Sequence, residues 1–126
     1  MVLSAVSVYS QEDNGPIISF EENRFSFDTI ARNSNGEHNF FFVNAGSEPL
    51  LITSAFSSCG CVVPEFPKQP ILPGEKSSIK VKYNTNNIGG FNKTITVPSN
   101  AVNDPRVVLR IKGTVLKPES TPTNNQ

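Results

Sequence analysis

Two cysteines separated by a single residue are the pair of side chains in this sequence best placed for chemistry. Cys59 and Cys61 flank Gly60 in the segment SSCGCVVPEF, and the chain has no other cysteine. In an extended strand, residues i and i+2 point to the same face, which would make the two sulfurs neighbours with Cα atoms roughly 6.6 Å apart. That separation is near the upper limit for a disulfide, so a bridge requires a local bend, which Gly60 would permit.

Three roles are open for Cys59 and Cys61. The first is packing, because cysteine behaves as a small apolar side chain that suits the end of a strand. The second is a disulfide, which export from the cytoplasm would favour. A bridge that closes so small a loop would constrain the unfolded chain little and would be strained, so it would be labile rather than structural. The third is a metal site for Cu(I), which prefers thiolates. A closed zinc site needs four ligands, and the only histidine, His38, lies on a different predicted strand.

A stiff segment rich in proline follows the cysteine pair. Its notable residues are Pro64, Phe66, Pro67, Pro70 and Pro73. Proline confines such a segment to the edge of a sheet, because it cannot donate to the hydrogen-bond ladder. Phe66 then either plugs one end of the fold or, together with Pro64 and Pro67, contacts a protein partner as an aromatic anchor.

The sequence offers no recognisable catalytic constellation. His38 has no partner nearby in the sequence, and Ser57 and Ser58 lack the setting of an activated nucleophile. The sequence also has neither a glycine-rich phosphate loop nor an interleaved basic and aromatic surface for nucleic acid. We therefore predict a protein that is not an enzyme, uses no cofactor and does not bind nucleic acid.

Composition fits one ordinary domain, but the charges are unevenly placed. The 126 residues are 37% hydrophobic with a formal net charge of zero. Residues 1–66 carry eight acids against two bases, whereas residues 67–126 carry nine bases against three acids. In a fold whose strands interleave, such an asymmetry can cancel in space.

Both ends of the chain differ in composition from its middle. Residues 1–10, MVLSAVSVYS, are apolar and precede a polar run, as in the second half of a secretory signal peptide, although a basic segment before them is missing. The stretch is too short to span a bilayer. We predict that residues 1–10 are a signal-peptide remnant or a disordered arm, that residues 118–126 are a disordered tail, and that the protein is extracytoplasmic, either periplasmic or secreted.

Hydrophobic residues between these ends repeat with a period of two. The run SSIKVKY places Ile79, Val81 and Tyr83 on one face, and the run FNKTITV places Phe91, Ile95 and Val97 inward with Lys93, Thr94 and Thr96 towards solvent. Further strands are predicted in ISFEENRFSFDTI (two), EHNFFFVN, PLLITSAF and RVVLRIKGTV. Pro73 and Gly74 predict a tight turn. Because no window has helical periodicity, we predict an all-β antiparallel sandwich of about seven to eight strands over residues 15–117.

The order of these motifs resembles a bacterial family. The strings FDTI, HNFFFVNAGSEPLLI, SSCGCVVPEF, PILPGEKSSIKVKYNT, FNKTITVPSN and VVLRIKGTV are similar to a domain of unknown function found in secreted and periplasmic proteins of Bacteroidetes and marked by a Cys-Gly-Cys motif. That family is similar in turn to Hydin-type and sperm-protein-type immunoglobulin-like domains. The resemblance covers roughly residues 17 to 115 and implies an immunoglobulin-like sandwich without an established activity. One departure is Val62, where the family often has Thr.

Two functions follow as hypotheses. The first is an exported immunoglobulin-like binding or assembly module that contacts another protein through an edge strand or the proline-rich segment. The second is a thiol site at Cys59 and Cys61 that binds Cu(I) or exchanges disulfides.

Overall fold

The structure is a computed structural model that describes residues 14–117. These residues contain seven β-strands and no helix. The strands are β1 (Ile18–Phe20), β2 (Arg24–Ala31), β3 (Glu37–Asn44), β4 (Val62–Glu65), β5 (Lys76–Tyr83), β6 (Gly89–Pro98) and β7 (Arg106–Leu116). The predicted arm at residues 1–10 and tail at residues 118–126 lie outside the described residues.

The strands form two sheets packed face to face. The four-stranded sheet has the order β1-β3-β5-β4, with every neighbouring pair antiparallel. The three-stranded sheet has the order β2-β7-β6, in which β6 and β7 are antiparallel and β2 and β7 are parallel. The predicted all-β, immunoglobulin-like sandwich is confirmed, with one parallel pair among its otherwise antiparallel neighbours.

Alternate side chains of both sheets fill the space between them. Fully buried residues include Phe40, Ile79, Ile95 and Leu109, one from each of the four longest antiparallel strands. Their rows alternate with exposed residues, because successive side chains of a strand point to opposite faces. The predicted inward rows, Ile79, Val81 and Tyr83 of β5 and Phe91, Ile95 and Val97 of β6, are therefore confirmed.

The run PLLITSAF is not a strand, contrary to the prediction. Its residues make single bridges to different neighbours: Leu50 pairs with Ile71, whereas Phe56 pairs with Thr96 of β6. An alternating pattern is also produced by a segment that crosses between two sheets and buries alternate residues against each. The turn at Pro73 and Gly74 is confirmed, since Gly74 has a φ of 85° and the N–H of Glu75 donates to the carbonyl of Leu72.

Candidate functional site

Cys59 and Cys61 lie in a turn just before β4 and form a disulfide. Their Cα atoms are 5.2 Å apart, which is shorter than the strand spacing expected from the sequence because the chain bends here. The N–H of Val62 donates to the carbonyl of Cys59 at 3.2 Å, which closes the turn. Both cysteines are half-buried, and Cys61 packs against the hydrophobic core, so the disulfide and a packing contact occur together here.

Gly60 does not have the role that the sequence suggested. Its φ is not positive, and a Cβ atom built on it would have nothing within 4 Å. The bend that brings Cys59 and Cys61 together is therefore available to any L-residue at this position.

A shallow polar cleft of about 480 Å³ adjoins the disulfide. The residues that line it include Cys61, Asn33, Asn84 and Asn86. The N–H of Asn84 donates to the carbonyl of Cys61 at 2.8 Å, which ties the disulfide turn to the β5–β6 connection. Among the described residues, no group of three or more His, Cys, Asp or Glu side chains is arranged to hold a metal ion.

His38 lies where the two sheets meet. Its ring stacks on Phe25 of β2 with centroids 3.6 Å apart and meets Phe40 edge-on at 4.7 Å. Its Nε2 atom is 2.9 Å from a carboxylate oxygen of Glu22. These contacts give His38 a packing role at the edge of the core.

The three residues predicted to contact a partner lie at and just after β4. Pro64 is in β4, while Phe66 and Pro67 follow it and are half-buried. Phe66 packs against the hydrophobic core, and the Nζ atom of Lys68 lies 4.5 Å from the centre of its ring. Phe66 is therefore largely engaged within the chain, whereas its neighbour Val63 is 55% exposed.

The outer edge of β4 has few backbone groups that could bond to an added strand. The carbonyl of Cys61 accepts from the N–H of Asn84, the residue after β5, and because strand residues alternate in direction, Val62 and Pro64 point their backbone groups away from β5. The N–H of Val62 is already bonded to Cys59, and Pro64 has none. This edge can therefore accept hydrogen bonds but has no free N–H to donate.

Two further sheet edges are closed or interrupted. The three-residue strand β1 is capped by the side chain of Asn103, which accepts from the N–H of Ile18 at 3.0 Å and donates to its carbonyl at 2.9 Å. The strand β2 contains a bulge between Ser26 and Thr29, where Asp28 has a φ of 57°. Bulges and short, covered strands are the usual ways in which proteins block edge pairing.

The outer edge of β6 is covered along only half of its length. Phe56 and Thr96 exchange two backbone hydrogen bonds, so the backbone groups of even-numbered residues in β6 point away from β7. By the same alternation, those of Gly90, Asn92 and Thr94 point outward. No backbone or side-chain hydrogen bond to these outward groups occurs within residues 14–117. Three consecutive donor and acceptor pairs are thus available on a straight strand.

Lys93 belongs to the inward row of β6, contrary to the prediction that it faces solvent. The register of β6 against β7 is continuous, so Lys93 alternates with Phe91 and Ile95, and its side chain is half-buried. A lysine can occupy this row because β6 is an edge strand, from which a long side chain reaches solvent. An inward-pointing charge on an edge strand discourages pairing with another copy of the same edge.

We call the outward backbone groups of Gly90, Asn92 and Thr94, together with Lys93, the open edge. Sequence reasoning missed it, because which strand lies at an edge depends on sheet order. The signal available was the lysine inside FNKTITV, since an isolated charge in an apolar row suits an edge strand. Within the described part of the chain, no helix is long and apolar enough to cross a membrane.

Comparisons with known proteins agree with the fold. The sequence model of a family described as "Protein of unknown function (DUF1573)" matches residues 18–115. No curated protein matches the chain in sequence. A protein of unknown function from Porphyromonas gingivalis W83 superposes with a TM-score of 0.71 at 11% identity, over 82% of this chain and 48% of that one. This chain therefore spans about half the length of the Porphyromonas protein.

Two further solved structures share the sandwich. The PapD-like domain 7 of human CEP192 superposes with a TM-score of 0.62 at 9% identity, over 81% of this chain and 87% of that one. The periplasmic chaperone SfaE superposes with a TM-score of 0.55 at 11% identity, over 83% of this chain and 60% of that one. At these identities the structural matches show the fold, which is that of immunoglobulin-like domains, and the family model confirms the resemblance to a family of unknown function.

Proposed function

The chain belongs to this family of unknown function, and we propose that it is a non-enzymatic module that binds an extended segment of another protein. The segment adds to the three-stranded sheet as a fourth strand, at the open edge of β6. The added strand pairs with the outward N–H and carbonyl groups of Gly90, Asn92 and Thr94.

The observation that carries this proposal is the half-covered edge itself. Thr53 and Phe56 of the same chain already bond to the outer edge of β6 at Pro98 and Thr96. An added segment would continue this pairing along the remaining half of the strand. Backbone N–H and carbonyl groups that lose their contact with water must find hydrogen-bond partners in the protein. The edge of β6 supplies such partners to the backbone of the added segment, whatever its side chains are.

The proline-rich segment serves this role less well. The edge of β4 has no free N–H to donate, and Phe66 packs against the core of its own chain. Pro64, Phe66 and Pro67 are accordingly a second candidate contact, in which the exposed Val63 would supply apolar area rather than hydrogen bonds.

We place the module outside the cytoplasm. Support comes from the apolar segment at residues 1–10, which is typical of secretion signals, and from a disulfide, which persists in oxidising compartments. The likeness in fold to a periplasmic chaperone agrees with this location.

A proline substitution tests the strand addition. Thr94→Pro removes one outward N–H without removing a hydrogen bond to β7, whereas Thr94→Ala changes the same side chain and keeps the N–H. Partner capture or peptide binding by Thr94→Ala should equal that of the unaltered protein, and Thr94→Pro should weaken it about tenfold, with both variants folded by circular dichroism. Equal binding by the two variants would contradict the proposal.

A second candidate function uses the disulfide, because it is half-buried and lines an open cleft. A thiolate of a dithiol partner would attack one sulfur, form a mixed disulfide and release the other cysteine as a thiolate. The partner's second thiolate would then attack the partner's own sulfur in the mixed disulfide, which forms the partner disulfide and releases the remaining cysteine as a thiolate, so that Cys59 and Cys61 are left as two thiols. That reduced pair is also the state that could bind Cu(I).

Intact-mass measurement after alkylation distinguishes the two candidates. A bridge that reduces readily with a dithiol, and a double variant Cys59→Ser/Cys61→Ser that stays folded but no longer exchanges disulfides or binds Cu(I), would support the thiol function. A double variant that still binds a partner supports the strand-addition proposal instead.

A further inference from the structure

The solvent face of the three-stranded sheet carries a concentration of positive charge. Arg24 of β2 and Arg110 of β7 are direct neighbours across the parallel pair. Lys112 follows two residues later on the same face, beside Ser26 and opposite Asn92 of β6. All three cationic side chains are exposed and, with Asn92, line a cleft of about 370 Å³. We call Arg24, Arg110 and Lys112 the basic face.

These cations have no ion-pair partner among the described residues. In residues 14–117 the salt bridges within 4.0 Å are His38 with Glu22 and Lys80 with Glu37, so no carboxylate reaches the basic face at that distance. Arg110 donates to the side-chain oxygen of Asn92 at 2.9 Å, which holds its guanidinium towards β6.

One carboxylate lies close to the basic face. Asp28 lines the adjoining cleft with Lys112 and accepts a hydrogen bond from the hydroxyl of Ser26 at 3.1 Å. One acid against three bases leaves the face positive. Like charges on neighbouring strands are unfavourable, so this arrangement costs stability in the unbound protein.

The open edge joins the basic face. Asn92 and Thr94 present outward backbone groups at the edge, and their side chains lie in the same rows as Lys112 and Arg110 of the adjacent strand. On the opposite face of the same edge, Lys93 is half-buried between Phe91 and Ile95. A strand added to β6 therefore meets positive charge on both of its faces.

We propose that the segment bound at the open edge is an acidic peptide, with Asp or Glu side chains that contact Lys93 on one face or Lys112 and Arg110 on the other. This inference rests on the proposed strand addition and names the chemistry of its partner. Lys93, which repels a second copy of this edge, becomes an attractive contact for a strand of opposite charge.

A peptide fits these observations better than another polyanion. The outward groups of Gly90, Asn92 and Thr94 alternate donor and acceptor at the two-residue repeat of a β-strand, roughly 6.6 Å, which a polypeptide backbone matches. A phosphate or sugar polymer would pair with the cations and leave the edge amides unpaired. The side-chain charges then select among peptides that the edge could otherwise accept equally.

Three seven-residue peptides with blocked termini test the inference. In each peptide threonine alternates with one other residue, which is glutamate in the first, glutamine in the second and lysine in the third. Binding is measured by fluorescence anisotropy at low and at physiological salt. We expect the glutamate peptide to bind most tightly and the lysine peptide most weakly, with a difference that shrinks as salt rises. Lys112→Glu and Lys93→Glu should each weaken the glutamate peptide about three- to tenfold, since an attraction becomes a repulsion. Lys76→Glu, on the other sheet, is the matched control and should change nothing.

The outcomes separate this inference from the proposed function. If the three peptides bind equally and Thr94→Pro still weakens binding about tenfold, strand addition stands and the acidic preference is overturned. If the glutamate peptide is preferred but Thr94→Pro has no effect, the basic face binds anions without an added strand, which overturns both. If the glutamate peptide does not bind at all, the inference is overturned.

Discussion

Phe56 and Thr96 each donate a backbone N–H to the other's carbonyl, with N to O distances of 3.0 and 2.8 Å. This pair marks the point at which the chain stops covering the outer edge of β6. Beyond it, the outward groups of Thr94, Asn92 and Gly90 have no partner within the described residues. The described residues thus supply part of a fourth strand to the three-stranded sheet, and in the function we propose a segment of another protein supplies the remainder.

Lys93 should keep the open edge from pairing with a second copy of itself. Replacing it with a β-branched apolar residue, Lys93→Val, should raise self-association, because an uncharged edge strand with unpaired backbone groups is a template for another strand. Sedimentation velocity over a concentration series measures this. Thr94→Val introduces the same side chain one residue away, leaves Lys93 in place and should sediment as the unaltered protein does. If Lys93→Val sediments as the unaltered protein does, Lys93 does not protect the edge from self-association.

Asn44 should be one of the most sensitive polar residues in the fold. Its side chain is fully buried, donates to the carbonyls of Glu48 and Ile71 at 2.8 Å each, and accepts from the N–H of Gly46 at 2.9 Å. We expect Asn44→Ala to lower the free energy of unfolding by about 2–4 kcal/mol, because buried backbone groups lose their partners.

Urea denaturation measures the loss at position 44. Asn39→Ala is the control, since Asn39 is an exposed residue of the same strand and its replacement should change stability by about 0.5 kcal/mol at most. A similar effect of the two substitutions would contradict the structural role of Asn44.

Two glycines should respond in opposite ways to alanine. A Cβ atom on Gly36 would lie 2.6 Å from the carbonyl oxygen of Tyr83, which is backbone and cannot move away cheaply, whereas a Cβ atom on Gly60 would meet nothing within 4 Å. We expect Gly36→Ala to destabilise the fold by about 1–3 kcal/mol. Gly60→Ala should leave both stability and the disulfide intact, as thermal denaturation and intact-mass measurement would show. A large loss at Gly60 would mean that the turn needs glycine after all.

The Cys59–Cys61 bridge should contribute modestly to stability. It closes a loop of three residues, for which the chain-entropy estimate gives about 1–2 kcal/mol. Cys59→Ser/Cys61→Ser should therefore lose about that amount in urea denaturation, and the unaltered protein with a reducing agent should behave in the same way. A loss above about 4 kcal/mol would show that the half-buried cysteines pack more tightly than their exposure indicates.

The sequence predicts the sandwich well because its information is local. Strands such as SSIKVKY and RVVLRIKGTV alternate apolar and polar residues, and that alternation alone places Val81 and Leu109 in the core. The turn at Pro73 and Gly74 is likewise determined by its own residues. The closeness of the two cysteines follows from their spacing, although the turn that joins them does not.

The candidate site is less predictable because it depends on which strands are neighbours. The lysine within FNKTITV suits an edge strand, but nothing in that run indicates which neighbours β6 has or that Phe56 covers only half of its outer edge. The basic residues of the second half of the chain could have been dispersed, but the pairing of β6 with β7 places Arg110 and Lys112 on one face of the sheet next to the open edge and Lys93 on the other face. The sequence around Asn44 indicates only an ordinary turn residue. Its buried role does not show there, because its hydrogen-bond partner Ile71 lies 27 residues further along the chain.

Backbone amide hydrogen exchange on the protein with the glutamate peptide tests the central claim most directly. In the free protein we expect fast exchange at Gly90, Asn92 and Thr94, and slow exchange at Thr96, which is already bonded to Phe56. Saturating peptide should slow exchange at Asn92 and Thr94 about tenfold or more and leave the amide of Val63 on β4 unchanged. Unchanged exchange along β6 at saturation, or protection confined to β4, would contradict strand addition at this edge.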